Sequence, residues 1–187
     1  MKVLTIDIGG TTTKYGLFTD GQLESRHERP TDAGKGADHV IELICEIAAQ
    51  FKGMDCLGVS TCGYVDPREK KIAFATEAVP GYTGVQLGRI LEERTGLPVA
   101  VENDAKCAAI GELHYGMGKE HKDFIYLTYG TGIGGAIVID GVIYHGCHGI
   151  AGGLGHMITH SEGLECTCGN RGCYEMYAST RALLSKV

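Results

Sequence analysis

Four residues near the end of the chain have the types and spacing to hold a metal: His156, Cys166, Cys168 and Cys173. One imidazole nitrogen and three thiolates suit a closed tetrahedral Zn2+ site. Gly169 and Gly172 let the chain turn tightly enough for the three sulfurs to converge. His160 competes with His156 for the fourth position. The alternative is a set of unrelated surface thiols, which would be open to oxidation. Cys45, Cys56, Cys62, Cys107 and Cys147 follow no such spacing and are expected as small core residues.

A second kind of chemistry lies in two glycine-rich turns. The first, Asp7-Ile8-Gly9-Gly10-Thr11-Thr12-Thr13-Lys14, follows an apolar run that reads as a buried strand. Small residues at such a turn let backbone N–H groups and Thr hydroxyls approach phosphate oxygens closely. A carboxylate at the end of the strand, here Asp7, can hold Mg2+ through water. The plain alternative is a Gly-Gly hairpin with Thr in its strand. The second turn, Thr128-Tyr129-Gly130-Thr131-Gly132-Ile133-Gly134-Gly135, favours the phosphate reading, because two such loops from duplicated lobes can face each other across a cleft. Neither is a Rossmann or Walker loop, since a strand follows each and no Gly-Lys-Ser/Thr occurs. Glu102-Asn103-Asp104 sits where a strand meets a helix. There an Asn or Asp is either a helix N-cap or a carboxylate able to take the proton of an attacking hydroxyl, and adjacent residues can do both.

The elements that must position these residues are legible in the hydrophobic pattern. Lys2–Ile8, Thr13–Thr19 and Gln22–Glu28 read as a meander with turns at Gly9-Gly10 and Asp20-Gly21. From Ala37 to Phe51 apolar residues fall at helical spacing, which predicts an amphipathic helix over that sheet. Leu57–Ser60 and Val99–Glu102 read as strands; Val85–Arg94 and Ala105–His114 read as helices, the former stopped by Gly96 in the left-handed cap position. The opening pattern then repeats as Phe124–Tyr129, Ile133–Ile139, Asp140-Gly141 and Val142–Tyr144, and Glu175–Leu184 reads as one helix. The polar stretch Gly116–Lys122 reads as a hinge, giving lobes 1–118 and 119–187. The second is short for a domain. Apolar surface is expected along Ile137, Ile139 and Ile143 or the alternate positions of those strands, where another copy could associate.

Composition narrows the function classes. The 187 residues include 17 basic and 23 acidic ones, a net charge of −6, which argues against a nucleic-acid or anionic-membrane partner. The most apolar stretch, 124–144, carries Asp140 and a run of glycines and reads as a hairpin rather than a membrane span. Met1-Lys2 leads into a strand containing Asp7, so no secretory leader is expected. Eight Cys in an unexported chain read as thiols and metal ligands, consistent with a cytoplasmic location.

Together these motifs resemble the ROK family of sugar kinases, over essentially the whole chain. The resemblance implies an α/β fold of the actin-like, ribonuclease-H-like kind, with two lobes, mixed sheets and a zinc loop in the second, incomplete lobe. Asp7–Lys14 is similar to the family's first phosphate loop, implying contacts from Asp7, Gly9, Gly10, Thr11, Thr12 and Lys14. Gly130, Thr131, Gly132 and Gly134 match the second loop. Ser60–Asp66 is similar to a Pro-Gly-x-Val-Asp segment, with Cys62 in place of Pro and Gly63 on the substrate side. Pro80-Gly81-Tyr82 and Glu102-Asn103-Asp104 match the sugar-site stretch and the catalytic Asp.

The implied activity is ATP-dependent phosphorylation of a hydroxyl of a hexose or hexose derivative, with Asp104 as base, Asp7 as Mg2+ partner and Zn2+ on His156, Cys166, Cys168 and Cys173. Glu102, Asn103, His156 and Glu175 would orient the sugar, His156 through the ring nitrogen that does not bind zinc. Two departures stand out. The family's Glu-x-Gly-His is here Gly153-Leu154-Gly155-His156, which removes one charge-assisted hydrogen bond of ~1.5–3 kcal/mol and puts glucose as the preferred sugar in question. The family also continues with an adenine-binding part and a closing helix. A non-catalytic sugar-binding fragment is therefore one alternative. The family's transcriptional regulators are another, opposed by the acidic balance and by a strand that starts at residue 2 instead of a helix-turn-helix. A homodimer is the expected assembly.

Overall fold

The structure, a computed structural model, describes residues 1–185 and divides into two compact units, Met1–Asp104 and Ala105–Val187. In the first, β1 (Lys2–Ile8), β2 (Thr12–Thr19) and β3 (Gln22–Pro30) form the antiparallel meander that the Gly-Gly and Asp-Gly turns predict. Asp20 and Gly21 take φ of 49° and 79°, the paired positive values that a tight hairpin turn needs. The helix α1 (Ala37–Ala49) follows, then β4 (Cys56–Thr61), a small hairpin of β5 (Tyr64–Asp66) and β6 (Lys71–Phe74), α2 (Leu87–Thr95) and β7 (Val99–Asn103).

The main sheet has the order β3-β2-β1-β4-β7, antiparallel on the meander side and parallel across β1, β4 and β7. This makes it a mixed sheet. Its core is built from alternation: Leu4, Ile6 and Ile8 of β1 and Leu57 and Val59 of β4 are buried against the α1 stripe of Val40, Ile44 and Ile47. Each such side chain taken out of water stabilises the unit by about 1.5–3 kcal/mol before entropy is counted. The outer strand β3 carries mostly polar, exposed side chains, which blunts an edge open to pairing. Gly96 caps α2 at φ 71°, as its position predicts. The β5–β6 hairpin has no counterpart in the sequence pattern, because its strands are too short to show alternation.

The second unit repeats the meander. After α3 (Asp104–Tyr115) come β8 (Phe124–Tyr129), β9 (Ile133–Ile139) and β10 (Val142–Ile143), in the antiparallel order β10-β9-β8. The Asp140-Gly141 turn takes φ of 52° and 74°, matching Asp20-Gly21. Stretch 116–122, which reads as a hinge, lies inside this unit, with a short 3-10 turn at Met117–Glu120.

Ala109, Ile110 and Leu113 of α3 pack on Ala136, Val138, Ile143, Phe124 and Tyr126. Ile143 is thus buried, correcting its expected exposure: it pairs with Val138, so both face α3. Ile139 is exposed, together with Ile125 and Val142. The final segment is also corrected. It forms two short helices, α4 (Glu175–Ala178) and α5 (Thr180–Leu184), broken at Ser179, which adopts an extended conformation and accepts the Ala182 N–H on its hydroxyl. A serine side chain that caps a new helix competes with continuing the old one. No helix among the described residues is long and apolar enough to cross a membrane.

Candidate functional site

The first glycine turn joins β1 to β2. Gly9 donates its N–H to the Thr12 carbonyl (3.2 Å), and a Cβ at Gly9 would lie 2.6 Å from that same oxygen, so only glycine fits. Gly10 and Thr11 are exposed at the tip and Thr12 is half-buried. Thr13 is fully buried, its hydroxyl 2.7 Å from that of Thr31, while Lys14 points outward. Asp7 is exposed at the end of β1 and accepts a 2.6 Å hydrogen bond from the Ser60 hydroxyl of the adjacent parallel strand. A hard, exposed carboxylate held by one hydroxyl is a donor suited to hydrated Mg2+.

The same strand ends carry the other candidates of this unit. Asn103 closes β7 and Asp104 opens α3. The Asn103 amide donates both to an Asp104 carboxylate oxygen (2.8 Å) and to the Gly63 carbonyl (2.9 Å). Gly63 takes φ 92°, and a Cβ there would sit 2.7 Å from the Phe74 carbonyl. Glu102 folds back to accept the Asn103 N–H (2.8 Å). Asp104 presents an exposed carboxylate, one oxygen of which accepts the Asn103 amide. Burial, and after it the charge of Asp104, push the Cys62 thiol above its ordinary range. Behind Cys62, Thr61 and Tyr82 share a buried hydroxyl pair at 3.1 Å. Glu102, Asn103, Asp104 and Gly63 thus come together in the first unit.

In the second unit the glycine loop spans β8 to β9. The Gly134 N–H donates to the Thr128 hydroxyl (3.1 Å), the Ile133 N–H to a Glu175 carboxylate oxygen (3.2 Å), and the Gly130 carbonyl accepts the Thr180 N–H (2.9 Å). Thr131 is exposed at the tip.

His156, Cys166, Cys168 and Cys173 bring one ligand atom each within 4.8 Å of one another. His156 Nδ1 lies 3.6 Å from Cys166 Sγ, and Cys168 Sγ 3.6 Å from Cys173 Sγ. Ligands of a tetrahedral Zn2+ are separated by about 3.5–3.8 Å, so the donor set and its spacing fit that ion. Burial, then the neighbouring thiols, push Cys173 up to about 12, and a cation is what would let such sulfurs ionise together. His160 is not in the cluster; its ring stacks on Tyr177 at 3.9 Å. Of the remaining cysteines, Cys45 and Cys62 pack against the core as expected, whereas Cys147 is exposed.

Two residues with a part in these sites carried no role in the sequence reading. Ser60 positions Asp7; its signal is the strand end in parallel register with β1. Lys106 is 4% exposed and donates to the Gly149 carbonyl (2.5 Å), anchoring the stretch that leads to His156. A lysine two residues into a helix reads as solvent-facing, so nothing local in the sequence marks it.

Comparison with known proteins bears on both units. The ROK family model matches residues 3–187. A glucokinase of Streptomyces coelicolor is 37% identical over 186 residues, covering 96% of this chain and 56% of that protein. An N-acetylmannosamine kinase of Vibrio cholerae is 35% identical over 98% of this chain and 63% of its own length. A xylose repressor of Bacillus subtilis matches at 34% over 92% of this chain and 46% of its own. Among solved structures, a ROK family glucokinase from Streptomyces griseus in complex with glucose and AMPPNP superposes with a TM-score of 0.89 at 36% identity, covering 99% of this chain and 59% of that one. The chain thus spans a little over half the length of the kinases it matches.

Proposed function

The chain belongs to the ROK family, and from that premise we propose that it carries the sugar- and phosphate-handling residues of an ATP-dependent hexose kinase. Its two meanders are read as the halves of an actin-like fold, the second bearing the zinc loop. Asp7, Gly9, Gly10, Thr11, Thr12 and Lys14 of one unit and Gly130, Thr131, Gly132 and Gly134 of the other are the residues proposed to meet the triphosphate. Asp104 is the base. Gly63, Glu102, Asn103, His156 and Glu175 orient the sugar. In the transfer, the sugar hydroxyl oxygen bonds to the γ-phosphorus as the bond from that phosphorus to the bridging oxygen breaks. ADP leaves with that electron pair, and the hydroxyl proton passes to Asp104. Mg2+, held through water at Asp7, would neutralise phosphate charge. Zn2+ on the cluster would fix His156 and the loop around it.

The observation that carries this reading is the Asn103 amide, which ties the Asp104 carboxylate to Gly63. A base must be held in place yet stay ionised, and a neutral donor on one oxygen does both. The similarity to an N-acetylmannosamine kinase as well as to glucokinases, and Gly153 where the family has Glu, favour a hexose or hexose derivative without fixing on glucose. ADP release by the full-length protein, measured over a panel of hexoses and 2-acetamido hexoses, tests the proposal. Saturable release with one of them supports it. Sugar binding without any ADP release points instead to a regulator or binding protein, the reading that the xylose repressor similarity favours.

A further inference from the structure

Glu175 is 7% exposed, and a carboxylate so placed is costly unless its oxygens find partners. One oxygen accepts the Ile133 N–H of the glycine loop at 3.2 Å and fills the space that glycine leaves at position 132, where a Cβ would come within 2.6 Å of it. The other lies 3.4 Å from Cys166 Sγ and 3.9 Å from His156 Nδ1. Five residues on, Thr180 donates its N–H to the Gly130 carbonyl at 2.9 Å. Loop positions 130, 132 and 133 are therefore laid against the segment 175–180, which begins two residues after the cluster cysteine Cys173.

We propose that Glu175 is a positioning residue for the second glycine loop, tying the conformation of residues 130–133 to the His156–Cys173 cluster. This goes beyond the sugar contact assigned to Glu175 above, and rests on the kinase reading only in treating the loop as a phosphate cradle. Within the loop the Gly130 N–H bonds the Gly132 carbonyl (3.0 Å), and at its exit into β9 the Ile133 amide is taken up by Glu175, so that side chain fixes where the loop meets the strand. A metal bound at the cluster would hold Cys173, the short link through Tyr174 would carry that restraint to Glu175, and Glu175 holds the Ile133 end of the loop. Loss of the ion should then reach the Ile133 amide by way of Glu175.

The test is amide hydrogen exchange at Ile133 in the zinc-loaded protein, with calorimetric ATP binding in the absence of sugar as a second readout. Glu175→Ala should speed exchange at Ile133 about ten- to hundredfold, as for loss of a hydrogen bond to a charged group. Gly134, bonded to Thr128, should be little changed. Glu175→Gln keeps an acceptor of the same reach and should stay within about threefold of wild type. A residue that merely filled space would not show that rescue. Removing the metal from wild-type protein with a strong chelator should speed Ile133 exchange several-fold, and this arm decides the matter if the alanine variant does not fold. Unchanged exchange at Ile133 in Glu175→Ala, equal acceleration in Glu175→Gln, or indifference to the chelator would each overturn the proposal. If exchange behaves as expected while ATP binding is the same in all variants, the positioning role stands and the phosphate-loop reading fails.

Discussion

Replacing Cys173 by serine should empty the cluster. Cys173 is wholly buried, with its sulfur 3.6 Å from that of Cys168 and its backbone bridged to Ile158. A structural Zn2+ site supplies roughly 10–16 kcal/mol, or about 2.5–4 kcal/mol for each of four ligands, so losing one should weaken binding ~10²–10³-fold. The buried hydroxyl left behind adds about 1–3 kcal/mol of destabilisation if it finds no partner. Elemental analysis should give about one zinc per wild-type chain and much less for the variant. Competition with a chromophoric chelator should measure the loss in affinity. The sign with pH follows from the same chemistry: the ion must displace thiol protons, so binding tightens as pH rises and weakens in acid. Zinc retained in Cys173→Ser at an affinity within a few-fold of wild type, or an affinity flat between pH 6 and pH 8, would refute thiolate ligation at this cluster.

Gly9→Ala should displace the first loop, because the added Cβ meets the Thr12 carbonyl at 2.6 Å; calorimetry should show ATP binding weakened by about tenfold or more, and unchanged affinity would separate this loop from the phosphates. Ile44→Ala removes a fully buried side chain from the α1 stripe and should cost about 2–5 kcal/mol in denaturant unfolding, with a cost under 1 kcal/mol meaning that the sheet and helix do not share this core.

Much of this fold is legible in the sequence because its signals are local. The α1 stripe repeats at helical spacing over three turns, and each Asp-Gly turn needs positive φ at both residues, which few other pairs tolerate. The cluster was legible for a similar reason, since four ligands within residues 156–173 leave few ways to converge. What stayed hidden depends on partners distant in sequence or on competition between neighbours. Ile143 faces α3 because of a register set across the β9–β10 turn, which the apolar run 142–144 does not disclose. Ser179 breaks an otherwise helical pattern by choosing to cap the next helix. Lys106 is buried because the Gly149 carbonyl, 43 residues on, receives its ammonium. The Glu175 contact with Ile133 joins residues 42 apart, and only the resemblance to sugar kinases had singled that glutamate out, for a different task.

Asp104 is proposed to take the proton of a sugar hydroxyl, and steady-state kinetics of Asp104→Asn in the full-length protein test this. The substitution keeps the side chain's size and an oxygen for the Asn103 amide but removes the base. kcat should fall by ~10²–10⁴ with sugar binding nearly intact, since the loss falls on the transition state and not on the bound sugar. A near-normal kcat in Asp104→Asn, with ADP still released in step with sugar phosphate, would contradict it and leave Asp104 as the first residue of a helix and nothing more.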